Sequence, residues 1–215
     1  METSILGLLL YLCSSGGSRN LRLLTVLIAS LCVFLGTCSE TPPLLEQIKD
    51  RGTLRVVTRY SPVTFYQGAR GPAGAEYELA RGLARELGVK LEMYATDSFV
   101  DVLPQVVQGK ADFAAAALTV TESRKAHVLF SEPYKSTNEH VIYKVGTARP
   151  RKLDDLLTGT LEVLAGSSHV ESLNKLRQDV PDLTWIENSD TEVEDLLYKV
   201  ASGKLDYTVA DTMEF

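Results

Sequence analysis

Two stretches of this chain nearly repeat, and that repeat limits the folds open to it. Gly52-Thr-Leu-Arg-Val-Val-Thr58 matches Gly159-Thr-Leu-Glu-Val-Leu-Ala165, and Val106-Val-Gln-Gly-Lys-Ala-Asp-Phe113 matches Val200-Ala-Ser-Gly-Lys-Leu-Asp-Tyr207. Each half opens on an apolar strand pattern and closes on a Gly-Lys turn that feeds another strand. In the first half Leu79, Ala80, Leu83, Ala84 and Leu87 form a helical stripe that Gly88 should stop. Leu91 and Met93 alternate as a strand, and Val102, Leu103, Val106 and Val107 give a second helical face, with Pro104 near its first turn. In the second half Val170, Leu173 and Leu176 mark one helix, Trp185 and Ile186 a short strand, and Leu196, Leu197 and Val200 another helix. Ser189 with Glu192 reads as the capping box of that last helix. Each half is therefore βαβαβ, which implies parallel strands and right-handed crossovers. The expected architecture is α/β: two lobes with a cleft between them.

The residues at the carboxyl ends of the strands carry the functional reading, because open α/β sheets bind ligands there. Phe113 to Leu118 is a small apolar run read as a buried strand, after which come Thr119, Thr121 and Arg124. Thr121 is placed to cap a short helix over Glu122 to Ala126, with the Arg124 guanidinium one turn in. A guanidinium offers a carboxylate two parallel charge-assisted hydrogen bonds. In the second lobe Gly166-Ser167-Ser168 opens a helix, where free N–H groups and hydroxyls favour an anion. Asp211 follows the strand Asp206 to Ala210 and is suited to accept from an ammonium. Arg124, Thr119 and Thr121 facing Ser167, Ser168 and Asp211 would make a site for a zwitterion. Tyr60, Phe65 and Tyr66 follow the first strand and are candidates either to wall that site or to pack in the core. The segment Phe130 to Val145, with Pro133 and the extended run His140-Val-Ile-Tyr143, reads as a crossing hinge.

Composition removes several function classes. A net charge of −6 leaves no basic stripe for nucleic acid. Cys13, Cys32 and Cys38 all precede Glu40, so the body of the chain has neither a disulfide framework nor a cysteine metal site. His127, His140 and His169 show no ligand spacing, and neither a cofactor nor a metal is expected. Arg19 and Arg22 precede an apolar run, Leu23 to Leu35, then Gly36-Thr37-Cys38. That run is shorter than the roughly 20 residues of a spanning helix and fits an export signal. The expected organisation is an export segment over 1–38, lobe one over 39–140 and lobe two over 141–215.

These strand-end residues resemble those of the family 3 solute-binding proteins, the bilobed periplasmic receptors for amino acids. The resemblance covers roughly Leu54 onward and implies a type II periplasmic-binding-protein-like fold. It further implies that Arg124, in its T-x-T-x-x-R spacing, grips an α-carboxylate and that Asp211 takes the α-amine. A more specific set of residues is similar to the N-terminal module of membrane-bound lytic murein transglycosylase F. It includes Tyr77-Glu-Leu-Ala80, Leu87-Gly-Val-Lys-Leu91, Ala165-Gly-Ser-Ser-His169, Pro181-Asp-Leu-Thr-Trp185 and Gly203-Lys-Leu-Asp-Tyr-Thr-Val-Ala-Asp211. Leu35-Gly-Thr-Cys38 resembles a lipobox, although Thr37 stands where Gly or Ala is usual; it implies lipidation of Cys38 and attachment to the cell envelope, on the outer membrane.

In that family a binding-protein-like module regulates a following domain that cleaves peptidoglycan with a glutamate acid/base. The Glu-Ser and Gly-Leu-Met-Gln signature of that catalytic domain is absent here: Glu171-Ser172 and Glu122-Ser123 have no Gly-Leu-Met-Gln after them. No catalytic residue is assigned in this chain. The resemblance also implies C-terminal elements that return to lobe one, and the chain as read stops at Phe215 before any return, leaving an uncovered sheet edge. The leading expectation is a non-catalytic sensor module for a small amino-acid-like or muropeptide ligand, linked to peptidoglycan through the missing domain. The alternative is a free-standing periplasmic amino-acid receptor of an ABC transporter.

Overall fold

The two repeated stretches build equivalent elements in the computed structural model, which describes residues 41–215. The expectations for residues 1–38, including the export segment and Cys38, lie outside the described residues. Helix α1 (Leu44–Arg51) leads into strand β1 (Thr53–Thr58). A short antiparallel hairpin, β2 (Tyr66–Gly68) and β3 (Gly71–Ala73), precedes helix α2 (Ala75–Leu87). Gly88 ends α2 in the left-handed region (φ 69°), as its position at the end of the apolar stripe predicts. Strand β4 (Lys90–Ala95) runs parallel to β1 in register Thr53–Lys90 through Thr58–Ala95. A 3₁₀ turn (Phe99–Asp101), helix α3 (Val102–Val107) and strand β5 (Phe113–Ala114) follow, giving a parallel sheet of order β4-β1-β5.

The second lobe holds strand β6 (Glu139–Tyr143), a 3₁₀ segment (Leu153–Thr158), β7 (Glu162–Leu164), helix α5 (Ser168–Leu176), β8 (Ile186–Asn188), helix α6 (Val193–Ser202) and β9 (Tyr207–Asp211). Helix α4 (Glu122–Lys125) precedes them at the end of lobe one. β7 is parallel to β8, β6 is antiparallel to β9, and a parallel bridge from Leu161 to Tyr207 joins the two pairs. The repeat is therefore structural. Gly109 (φ 68°) and Gly203 (φ 77°) both adopt the left-handed turn, and the following lysines donate to Gln105 O and Lys199 O in the same way.

Four expectations are corrected. The strand expected over Phe113 to Leu118 pairs only through Phe113–Ala114, with one further bond from Ala115 N to Val57 O. Ala117 then turns into the left-handed region (φ 51°), held there by Glu76, whose Oε2 accepts its N–H at 2.9 Å. Small alanines supply no β-branched packing to resist that turn. The capping box at α6 lies three residues later than Ser189 and Glu192: Glu192 is the N-cap and Asp195 completes the box. Residues 128–138 carry no helix or strand, and the extended run expected to cross between the lobes belongs to β6, which pairs with β9. Finally, the stripe on α2 is split: Ala80 and Ala84 are buried against the sheet, while Leu79 and Leu83 are exposed.

Among the described residues the core falls into four clusters, the smallest being Leu196, Val200 and Leu205. Ile48, Leu54, Val56, Ala80 and Ala84 pack on one face of the first sheet. Leu156, Leu161, Val163, Leu173, Leu183 and Val209 form the heart of lobe two. A third cluster draws on both lobes, with Val57, Phe99, Val102 and Ala116 meeting Leu164, Val193 and Ala210. Burying each of its valine, leucine and phenylalanine side chains contributes about 1.5–3 kcal/mol, so this shared cluster favours the lobes in contact. Among the described residues β5 is the last strand of this sheet, and a cavity of about 720 Å³ lies beside it, lined by Leu79, Leu83, Val106, Phe113 and Phe130 among others. Among the described residues no helix is long and apolar enough to cross a membrane.

Candidate ligand cleft between the lobes

Thr121 begins α4 in extended geometry, and its Oγ1 accepts the Arg124 N–H at 3.3 Å. This cap fixes where the Arg124 side chain leaves the backbone. The guanidinium is buried, 6% exposed, and donates to Thr119 O (2.8 Å) and, across the cleft, to Gly166 O (3.0 Å). Both acceptors are neutral carbonyls. Among the described residues no carboxylate forms an ion pair with Arg124. Burial draws this guanidinium below its ordinary value, and the charge of Glu171 acts in the opposite sense. A buried cation with an incomplete set of anionic partners is costly and invites an anion.

Lobe two meets this cation with the start of α5. Ser167 is the N-cap in extended geometry, yet its Oγ is buried without a hydrogen-bond partner. Ser168 Oγ donates to Thr119 Oγ1 at 3.3 Å. Glu171, one turn along α5, accepts from Thr121 Oγ1 (3.0 Å) and Ser123 Oγ (2.6 Å), which ties α4 to α5. Gly166 is required by space as well as by its φ of 71°: a Cβ there would stand 2.8 Å from Val100 Cγ1 of the opposite lobe. Asp211 closes β9, with Oδ1 buried and unpaired.

Sequence reasoning missed the residues that fill the cleft from the sides. Arg59, directly after β1, is 3% exposed and binds Glu192 Oε2 (3.0 Å) and Glu214 Oε1 (2.7 Å). Burial alone would lower its guanidinium; the charges of Glu214 and Glu192 outweigh that and hold it above its ordinary value. Glu192 moves up as well, because burial outweighs its single guanidinium and Glu194 and Asp195 stand nearby. Phe99 carries both cations, with Arg59 5.5 Å and Arg124 5.7 Å from its ring centre. A lone arginine after a strand and a phenylalanine in a 3₁₀ turn have no local signal that marks them.

Of the expected residues, Thr119, Arg124, Ser167, Ser168 and Asp211 line one small cavity together with Arg59, Phe99, His169 and Glu214. Thr121 stands behind it, holding Arg124 and Glu171. Tyr60 and Phe65 lie outside it. Tyr60 is exposed, and Phe65 packs between Tyr60 and Tyr77 with ring centres 5.7 and 5.9 Å away. The cavity holds about 20 Å³, room for one water at most. It adjoins a second cavity of about 330 Å³ that shares Ala117, Thr119, Asp211 and Glu214, and residues 130–137 wall its far side. The larger space is of ligand size. The lobes are thus closed, and an amino acid reaches Arg124 only if they part or if Arg59 moves.

Residues 53–184 match the family model of the bacterial extracellular solute-binding proteins, family 3. The chain belongs to that family. Its sequence is 44% identical over 176 residues to membrane-bound lytic murein transglycosylase F 1 of Alkalilimnicola ehrlichii, covering 81% of this chain and 36% of that protein. It is 40% identical over 190 residues to membrane-bound lytic murein transglycosylase F of Pseudomonas fluorescens, covering 88% of this chain and 39% of that one. The chain therefore spans well under half the length of these relatives. Among solved structures, an ancestral arginine-binding protein bound to arginine superposes with a TM-score of 0.67 at 31% identity, covering 76% of this chain and 72% of that one. The arginine-bound form of truncated ArgBP from T. maritima gives a TM-score of 0.67 at 27% identity, over 79% and 78%. The fold is the type II periplasmic-binding fold of these amino-acid-binding proteins, and the sheet order of lobe one agrees with it.

Proposed function

We propose that this chain is a non-catalytic ligand-binding module that recognises a small amino-acid-like or muropeptide ligand by lobe closure. We further propose that it serves as the regulatory part of a peptidoglycan-cleaving lytic transglycosylase of the cell envelope. One observation carries the binding reading: a buried guanidinium, Arg124, with only carbonyl partners, facing the unpartnered Ser167 hydroxyl at the start of α5. A ligand carboxylate would take the fork of Arg124 and accept from Ser167, and its ammonium would lie against Asp211. Bidentate pairing in a dry site is the arrangement in which Arg surpasses Lys. The similarity to murein transglycosylases supports the link to the cell wall. Cys38 would anchor the mature chain to the outer membrane, with the module on the periplasmic side.

Enzymatic activity is not assigned to this chain. Glu171, whose charge acts on Arg124, accepts two hydroxyl hydrogen bonds at the lobe contact and so supports the closed form. The test is a calorimetric screen of amino acids and murein peptides in chelating buffer, repeated with carboxyl-amidated forms of any ligand found. Saturable binding to the acid, weakened at least tenfold by amidation, is expected. Equal affinity for acid and amide would remove Arg124 from the ligand.

A further inference from the structure

The closed cleft brings together three potential metal ligands that sequence spacing did not reveal. One donor atom from each of His169, Asp211 and Glu214 lies within 4.8 Å of the others. They come from separate places: His169 from the first turn of α5, Asp211 from the end of β9 and Glu214 from just after it. His169 is 3% exposed, and both of its ring nitrogens are buried without a hydrogen-bond partner. Its Nε2 stands 3.8 Å from Asp211 Oδ1, which also has no partner. A buried imidazole with two idle nitrogens beside an idle carboxylate oxygen is an incomplete polar group that a cation would complete.

The local charge points the same way. Arg59 pairs with Glu192 and Glu214, and Asp211 lines the same small cavity as Arg59 without pairing to it. Arg124 lines the same small cavity but donates to the Thr119 and Gly166 carbonyls, so Asp211 is left without a guanidinium partner. From these observations we infer that His169, Asp211 and Glu214 form a binding site for a first-row divalent cation, Zn²⁺ being the representative. The imidazole nitrogen selects against Mg²⁺ and Ca²⁺, which take oxygen donors. One nitrogen and two carboxylate oxygens make a three-ligand zinc set with a fourth position free. Asp211 and Glu214 also line the cavity of about 330 Å³, so that fourth position opens toward the space proposed for ligand. Zinc donors at bond lengths near 2.1 Å sit about 3.4 Å apart, so the three side chains need to draw together by roughly 1 Å. Glu214 holds Arg59 with Oε1 (2.7 Å) and the Asp211 N–H with Oε2 (2.9 Å), so a cation would take a remaining lone pair of one of these oxygens. A cation here occupies the carboxylate proposed for the ligand's ammonium, and so competes with it.

The inference rests on the ligand reading only for that competition. The experiment is a zinc titration of the full chain, stripped with chelator and with its cysteines alkylated, in the absence of any amino acid. One Zn²⁺ per chain is expected, weakened at least tenfold in His169→Ala and in Asp211→Asn. The surface variants His127→Ala and His140→Ala should bind as the parent does. Nitrogen NMR of the unaltered protein should show one His169 ring nitrogen shifting on zinc addition, which needs no variant to fold. Absence of stoichiometric binding, or binding that survives His169→Ala with no such shift, would overturn the site. The amino-acid screen is run in chelator, so either reading can fail without the other.

Discussion

Arg59 is a buried cation whose carboxylate partners lie across the lobe contact, and its removal is the most informative perturbation of the fold. Its side chain is 4% exposed, that of Glu214 8% and that of Glu192 24%. Removing one member of a buried ion pair costs about 3–5 kcal/mol, because the other charge stays buried and unpaired. Partial exposure of Glu192 places the expected loss for Arg59→Ala near the lower end, about 3 kcal/mol. The sign with pH follows from Glu192. Burial already raises its carboxyl above the ordinary 4.5, and loss of Arg59 raises it further. A raised carboxyl contributes stability that is present below its unfolded pKa and lost as pH rises through its folded value. The deficit of Arg59→Ala is therefore largest at neutral pH and smallest near pH 4. Urea unfolding followed by Trp185, the single tryptophan, measures it. The paired change Arg59→Met with Glu214→Gln should recover part of the loss. A deficit under about 1 kcal/mol at pH 7, or one indifferent to pH, would refute the reasoning, since surface pairs behave that way.

Asp112, with its side chain 1% exposed, accepts from Arg55 N and Arg55 Nη2, both at 2.8 Å, and from Arg51. Burial pushes its carboxyl up, but the Arg55 bonds outweigh that and hold it below the ordinary 3.8. Asp112→Asn should cost about 2 kcal/mol above that pH, and the gap should close as pH falls through the lowered value, as acid unfolding curves would show. Leu183→Ala, at a fully buried position in lobe two, should cost about 2–5 kcal/mol in urea unfolding. Gly166→Ala forces a side chain into a φ of 71° and against Val100, and should lose more than about 1 kcal/mol. A loss that Val100→Ala does not relieve would show that the conformation, rather than lobe contact, is what matters there.

The sequence showed most of what local physics decides. The repeat, the Gly88 and Gly-Lys stops, and the Thr121 cap are all local rules, and the structure follows each of them. The short β5 was hidden because the turn at Ala117 is imposed by Glu76, a residue remote in the chain that spends its carboxylate on that one N–H and on Tyr134. Arg59, Phe99 and Glu214 were invisible for the same reason: their roles exist only once the lobes meet. His169 carried no ligand spacing because its neighbours Asp211 and Glu214 arrive from the far end of lobe two. Tyr60 and Phe65 were candidates for the cleft wall or the core, and a bridged turn between them packs Phe65 between Tyr60 and Tyr77 and leaves Tyr60 exposed.

The central claim is that Arg124 holds a ligand carboxylate, and a titration addresses it directly. The strongest ligand from the screen is measured against the parent, Arg124→Lys and Arg124→Ala, with unfolding curves confirming that each variant is folded. Loss of a buried charged partner is worth about 2 kcal/mol or more, roughly a 30-fold change in Kd. Arg124→Ala should lose at least that much, and Arg124→Lys should recover only part because a point charge lacks the fork. Undiminished affinity in a folded Arg124→Ala would contradict the account.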